Sequence, residues 1–211
     1  MTMRAVLAVG FLLLAAASAL AAEPAPAAAK TDWQAIITPE DQQRLDNHRD
    51  IRLRGIAEAE TAIAAGETNA VEAAVDTRRL LDAAPIPVRD ADVIGRYRCR
   101  VTKLGGQYLQ LIRYGFFNCR IHEGPAGSLV IRKTSGSQRF IGRLWLEPDE
   151  MSYIYLGATF VNDDQPVAYN TDPKENSVGR LYRIGEGRLR LELPDPYYES
   201  TLDVFELNRT R

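Results

Sequence analysis

The chain has 211 residues, of which 45% are hydrophobic and 26% are charged, enough apolar side chains for one globular domain with a core. Its formal net charge of -2 differs from the clear basic excess that nucleic-acid-binding domains carry. The sequence also lacks a polybasic block of the kind that binds anionic lipid. Nucleic acid is therefore not an expected partner.

The first 21 residues have the pattern of a secretory signal peptide. Arg4 supplies the positive charge, residues 5–17 are apolar, and Ala19-Leu20-Ala21 is an A-x-A cleavage site. The apolar run is too short for a comfortable membrane span, so we expect no integral membrane segment after cleavage. Without Arg4, 25 basic side chains stand against 28 acidic ones, a net charge of -3. We predict a periplasmic or secreted protein.

Residues 22–31 are rich in proline and alanine and predict an extended linker between the signal peptide and the folded part. Apolar residues return near Trp33, which is expected to anchor the segment on the core. We therefore predict a single domain over residues 32–211.

The first part of this domain, residues 32–84, is predicted to form an antiparallel helical hairpin. Thr38 is a suitable N-cap before a proline, and a thin apolar stripe at helical spacing continues to a stop at Gly66. A second helix follows from about Thr68 to Ala83. Pro85-Ile86-Pro87 ends it, because proline cannot continue the helical hydrogen-bond pattern.

Over residues 92–208 the hydrophobic period changes to the strict alternation of β-strands. About eight short strands are expected, separated by turns such as the hairpin signal Ser135-Gly136. This pattern is typical of an antiparallel β-barrel or sandwich. The predicted fold class is α+β, with the helical hairpin packed on that barrel or sandwich.

The two cysteines, Cys99 and Cys119, lie on the apolar side of two neighbouring predicted strands. In an exported chain they are expected to form a disulfide, directly opposite each other around a turn centred near Leu109. Such a bond closes a loop of about 20 residues and stabilises the fold by about 3 kcal/mol. The alternative is a pair of buried free thiols.

The sequence contains no convincing catalytic, metal-binding or cofactor-binding motif, and we predict none. His122 and Glu123 are adjacent, but neighbours on a strand point to opposite faces, so a solvated strand end is the competing interpretation. Tyr97, His122, Glu123 and Arg139 are the candidate contacts for a ligand or partner.

A row of arginines marks the polar side of the first predicted strand. Arg96, Arg98 and Arg100 alternate with its apolar residues, and Arg120 and Arg132 are expected beside them. A solvated sheet face is one interpretation, and a surface for an anion or an acidic partner is the other.

Short motifs run through nearly the whole predicted mature chain: Trp33, Thr38-Pro39-Glu40-Asp41 with Leu45, Tyr97-Arg98-Cys99-Arg100, Phe117-Asn118-Cys119-Arg120-Ile121, Gly136-Ser137-Gln138-Arg139, Gly179 and Leu202-Asp203-Val204. Together they resemble a family of small exported proteobacterial proteins known only as a domain of unknown function. The resemblance implies membership of this family, and the family has no known activity.

A second resemblance concerns the predicted barrel. Gly95 and Tyr97 form a Gly-x-aromatic pattern at the start of the first strand, and Arg209 follows the last strand. This combination is similar to the signature of lipocalin-type barrels, although lipocalins favour tryptophan at the place of Tyr97. The resemblance implies a fold, and a fold does not carry a function.

Three functions are compatible with the sequence. The first is a non-enzymatic exported module that binds a small ligand or another envelope protein. The second is an enzyme of unrecognised type with His122, Glu123 and Arg139 as candidates, and the third is an inhibitor of an exported protease. A barrel cavity lined by aromatic side chains would favour the first, whereas a filled barrel with His122 near a carboxylate in a cleft would favour the second.

Overall fold

The computed structural model describes residues 32–66, 70–106, 110–162 and 164–210, so the predicted signal peptide and linker lie outside the described residues. The described helices are a 3-10 turn (Trp33–Ala35), α1 (Pro39–Asp46), α2 (His48–Ala64), α3 (Val71–Asp82), α4 (Asp90–Val93) and a second 3-10 turn (Pro125–Gly127). The described strands are β1 (Gly95–Leu104), β2 (Leu111–Arg113), β3 (Phe117–Glu123), β4 (Leu129–Lys133), β5 (Gln138–Leu146), β6 (Ser152–Val161), β7 (Asn176–Gly185), β8 (Arg188–Pro194) and β9 (Leu202–Arg209). None of the described helices is long and apolar enough to cross a membrane.

Eight of these strands form an antiparallel barrel, which confirms the predicted β architecture. From β3 to β9 each strand pairs with the next, β1 pairs with β3, and β9 pairs back with β1 from Tyr97–Arg209 to Leu104–Leu202. The short β2 pairs with the last residues of β1, and β3 pairs with the first residues of β1. The sequence pattern does not predict β2, because three residues are too few to show an alternation.

The middle of the barrel is filled with side chains. The inward-facing residues alternate along each strand, as the sequence pattern predicts, and most are almost completely buried. Large members of this core include Tyr97, Ile121, Ile131, Tyr155, Leu181 and Leu191. Any open space must therefore lie towards the ends of the barrel.

The predicted first helix is correct at its start and wrong in its length. Thr38 caps α1, since its Oγ1 accepts a hydrogen bond from the backbone N–H of Asp41 at 3.2 Å. The helix is broken at Asn47, whose φ of -90° and ψ of 7° are not helical. Asparagine side chains favour such cap positions over helix interiors, and the break lets α1 bury Leu45 against β6 and β7.

The second half of the predicted hairpin is also helical. Gly66 has a φ of +75°, the left-handed conformation that ends a helix, and α3 follows it. Arg52 of α2 donates to the carbonyl oxygen of Leu81 in α3 at 2.6 Å, so these two helices touch. Residues 67–69 lie outside the described residues, and the hairpin connection stays a prediction.

A buried charged cluster fastens α2 and α3 to the outer wall of the barrel. Glu192 of β8 is fully buried and lies 3.2 Å from His48, 3.4 Å from Arg52 and 2.6 Å from Arg190. Arg190 also donates to the carbonyl oxygens of residues 80, 81 and 83, which are the last acceptors of α3. The cluster therefore provides hydrogen bonds to the carbonyl oxygens at the end of α3 and also neutralises a buried carboxylate.

Cys99 and Cys119 form the predicted disulfide, with Cα atoms 5.8 Å apart. The prediction that they lie directly opposite each other is wrong, because Cys99 pairs with Phe117 and Tyr97 pairs with Cys119. A shift of two residues leaves every side chain on its predicted face, so sequence alternation cannot detect it. The expected turn near Leu109 lies outside the described residues.

Candidate functional site

The two ends of the barrel differ, and α4 covers one of them. The Tyr97 hydroxyl donates to the carbonyl oxygen of Val93 at 2.6 Å, and Arg209 donates to that hydroxyl at 3.1 Å. The guanidinium of Arg209 lies 5.6 Å from the centre of the Tyr97 ring and packs beside Gly95. The three residues of the lipocalin-like pattern therefore meet at this covered end.

The opposite end of the barrel contains a pocket of about 510 Å³. It is lined by the last residues of β1, β4, β6 and β8 and by the first residues of β5, β7 and β9. In an antiparallel barrel these positions all lie at the same end. The segments 174–175 and 196–199, which connect strands there, complete the lining.

Aromatic and aliphatic side chains form the apolar part of this pocket. Phe140 and Phe205 lie edge to face with ring centres 5.1 Å apart, and Leu193 lines the pocket beside them. Tyr197 and Tyr198 stand at the mouth, 52% and 49% exposed, with ring centres 4.8 Å apart. Exposed aromatic rings beside an apolar pocket are common at ligand-binding sites.

One lysine in the pocket is neutralised by acidic side chains. The Lys103 ammonium lies 2.7 Å from a Glu199 oxygen and 3.8 Å from an Asp203 oxygen. Burial opposes its charge, but the carboxylates of Asp203 and Glu199 outweigh burial and raise the pKa of Lys103. Burial raises the pKa of Asp203, although the charge of Lys103 and the hydrogen bond from Ser200 act in the opposite direction. The hydrogen bond from Lys103 lowers the pKa of Glu199.

Lys133, the second lysine of the pocket, has a different environment. It is only 4% exposed, donates to the carbonyl oxygen of Gln138, and lies 3.9 Å from the centre of the Phe117 ring. It makes no ion pair within the described part of the chain. Burial, together with the nearby charges of Arg139 and Lys103, lowers the pKa of Lys133 to about 8.

The candidate residues from the sequence are not brought together. Tyr97 lies inside the covered end of the barrel, whereas Arg139 lines the pocket at the open end and donates to the carbonyl oxygen of Gly136 at 2.8 Å. His122 is on the outer face of β3, where burial and the charges of Arg120 and Arg132 lower its pKa.

Glu123 is exposed at the end of β3, and its backbone pairs with Leu129. It follows His122 on an alternating strand, so the two side chains leave opposite faces. The described residues show no contact between His122 and a carboxylate, and no group of three potential metal ligands occurs among them.

Sequence reasoning missed the two buried lysines of the pocket. Lys103 continues the inward series of Tyr97, Cys99 and Val101, and Lys133 continues that of Leu129 and Ile131. A lysine in an inward position of an alternating strand contradicts the hydrophobic pattern, and this contradiction was the available signal.

Comparison with known proteins confirms that the chain belongs to a family described as a domain of unknown function. The family model described as a domain of unknown function, DUF4893, matches residues 33–207, which is most of the chain. The chain belongs to this family. Neither the curated proteins nor the solved structures give a significant match to this DUF4893 protein. The family description names no activity, so the function must be argued from the site.

Proposed function

We propose that this protein is a non-enzymatic binding module that takes a small amphipathic molecule, with an anionic head and an apolar body, into the pocket at the open end of the barrel. The observation that carries the proposal is Lys133, a buried cation without an ion-pair partner in the described part of the chain. A buried charge is costly unless something neutralises it, and an anionic ligand would do so.

The surroundings of Lys133 support the same ligand class. Arg139 adds a second positive charge near the ammonium group, and the pocket also contains the phenylalanines 140 and 205. A volume of about 510 Å³ lies within the usual range of about 300–1,000 Å³ for small-molecule sites. A ligand head at Lys133 would leave its body in contact with aromatic walls.

The architecture supports a binder as well. Eight-stranded barrels have an interior that side chains fill or that holds one small ligand, and lipocalins are an example of the second kind. Here the covered end carries the Tyr97–Arg209 contact, and the pocket lies at the other end. We extend the comparison with lipocalin-type barrels to this arrangement only, because likeness of fold does not specify a ligand.

We also propose that the protein works in the periplasm or outside the cell. The signal-peptide pattern of residues 1–21 motivates this location, and the Cys99–Cys119 disulfide supports it because disulfides persist in oxidising compartments. Mass spectrometry of the protein from its native envelope should find the first 21 residues removed. A full-length chain embedded in the membrane would contradict the proposal.

Fluorescence titration with anilinonaphthalenesulfonate, an apolar anion, tests the ligand class. We expect the probe to bind the purified protein and dodecanoate to displace it more effectively than dodecanol. Lys133→Met should weaken dodecanoate binding by about 10-fold or more, since a charge-assisted hydrogen bond contributes about 1.5–3 kcal/mol. Dodecanol binding should change much less.

Arg49→Met is the matched control, because Arg49 is an exposed cation on α2 and does not line the pocket. This variant should bind both compounds like the wild type. The proposal fails if the wild type binds none of the three compounds. It also fails if Lys133→Met binds dodecanoate as tightly as the wild type does.

A further inference from the structure

One side of the outer barrel wall carries five arginines that form no ion pair within the described part of the chain. They lie on β1, β3, β4 and β5, and we call them the arginine wall: Arg96, Arg98, Arg120, Arg132 and Arg143. Three of them form a ladder across neighbouring strands, since Arg96 pairs with Arg120 and Arg120 pairs with Arg132.

This arrangement is unfavourable in the isolated protein. Like charges directly opposite each other on antiparallel strands repel and destabilise the sheet. The chain contains more acidic than basic side chains, and other arginines do form ion pairs with them. Arg100 lies 2.7 Å from Glu206, and Arg180 pairs with Glu147. The arginine wall is therefore a concentration of uncompensated positive charge on a protein whose net charge is negative.

Three of the five guanidinium groups lie against aromatic rings, and two of the five side chains are partly buried. Arg98 lies 5.7 Å from the ring centre of Phe116, and Arg143 lies 4.8 Å from that of Trp145. The Nε atoms of Arg132 and Arg143 are buried without a hydrogen-bond partner. Ordered and partly desolvated arginines lose little freedom on binding a carboxylate, which guanidinium groups match in shape.

We infer that the arginine wall docks a compact acidic patch of a partner protein through aspartate and glutamate carboxylates. The small width of the arginine ladder favours such a patch over an extended anionic partner. The ladder crosses three strands about 4.8 Å apart, so it is only about 10 Å wide. A long nucleic acid or a planar anionic membrane would extend beyond it onto the net-negative remainder of the surface and would be repelled there.

His122 lies on β3 next to the arginine ladder. Its imidazole lies on the same outer face, and Arg120 and Arg132 disfavour its protonation in addition to burial. The surface around it is thus positive even without a charge on the histidine. The inference is independent of the pocket at the open end, and it uses different residues.

A fluorescein-labelled peptide of eight glutamates is a suitable probe, with binding to the full protein followed by fluorescence anisotropy at several salt concentrations. We expect binding that weakens as salt rises, because salt screens exposed charges. Arg120→Gln should weaken it at least about 5-fold, since Arg120 is the centre of the ladder, while Arg49→Gln on α2 should leave it unchanged.

Thermal unfolding separates docking from a structural role. Removing the central arginine relieves repulsion, so Arg120→Gln should keep or raise the melting temperature while it weakens peptide binding. Arg96→Gln, at the edge of the ladder, serves as a second variant and should show the same pair of effects with smaller size.

Two outcomes would overturn the inference. One is equal peptide binding by the wild type and by Arg120→Gln. The other is preferential binding of phosphatidylglycerol vesicles or of a single-stranded oligonucleotide, compared with the glutamate peptide at equal concentration of negative charge. Either result would assign the wall to a different partner or to none.

Discussion

Cys99 is bonded to Cys119 across the β1–β3 ladder, although the residue directly opposite Cys99 is Phe117. The disulfide is therefore diagonal, because Cys119 lies two residues beyond the direct partner of Cys99 on β3. It ties β3 to β1 near the residues where β1 changes its partner from β3 to β2. Loss of this bond should affect the stability of the whole barrel, since β1 also closes the barrel against β9.

The first prediction concerns this disulfide. Replacing both cysteines by serine should lower the free energy of unfolding by about 3 kcal/mol, the loop-closure contribution expected for this spacing. Urea unfolding with and without reductant measures the effect. Reductant should destabilise the wild type and leave the double variant unchanged, and equal stability of the two proteins without reductant would contradict the prediction.

The second prediction concerns the start of α1. Thr38→Ala removes the acceptor for the Asp41 N–H and should lower stability by about 1 kcal/mol. Thr38→Ser keeps a hydroxyl at the same place and serves as the control. If both variants unfold at the same urea concentration, the cap does not stabilise the helix.

The third prediction concerns Glu192. Glu192→Gln leaves His48, Arg52 and Arg190 without their shared buried carboxylate and should cost about 3–5 kcal/mol. Urea unfolding at neutral pH measures this loss. Glu206 lies on β9, next to the strand of Glu192, and forms a less buried ion pair with Arg100 of β1. Glu206→Gln should therefore lower the free energy of unfolding clearly less than Glu192→Gln does.

Glu192 also gives a pH prediction with a definite sign. Burial opposes its ionisation, but the His48 imidazole 3.2 Å away and the charges of Arg190 and Arg52 lower the pKa of Glu192 below its ordinary value of 4.5. A carboxyl with a lowered pKa stabilises the fold fully above the unfolded-state value, and this contribution disappears as the pH falls through the folded-state pKa. The wild type should therefore lose more stability than Glu192→Gln when the pH is lowered from 6 to 3.5, as about 1.4 kcal/mol accompanies each unit of pKa difference.

The fifth prediction concerns the charge of Lys133 and rests on the proposed ligand class. Its pKa of about 8 means that the side chain is mostly charged at pH 7 and mostly neutral at pH 9. Affinity for dodecanoate should therefore fall by about 10-fold between these pH values, while affinity for dodecanol stays constant. Lys133→Met should show no such fall, and a wild-type affinity independent of pH would contradict the assignment of Lys133.

Much of the fold is local in origin and could be predicted. The cap at Thr38 and the stop at Gly66 depend on nearest neighbours along the chain, and the structure confirms both. Which residues of each strand face inward depends only on alternation. The break at Asn47 was missed, because it depends on where α1 meets the barrel wall.

The pocket could be predicted only in part. Arg139 was singled out and does line it, whereas Lys103, Lys133 and Asp203 were passed over. Each of these is far from the others in sequence, and each looks like a single exception to a hydrophobic pattern. Their common location at one end of the barrel follows from the register of eight strands, which alternation alone does not fix.

By itself, the sequence determined the class of most elements and the inward face of the strands, since these follow from residue spacing. It also predicted the bond between Cys99 and Cys119, with buried free thiols as the alternative, and the structure confirms the bond. Only the tertiary structure decided that the barrel closes through β1 and β9, that one end is covered and the other holds a pocket, and that five arginines share one wall. The physical reason is that register and closure depend on contacts between residues distant in sequence. A shift of two residues in one strand changes those contacts and leaves the hydrophobic pattern of the chain unaltered.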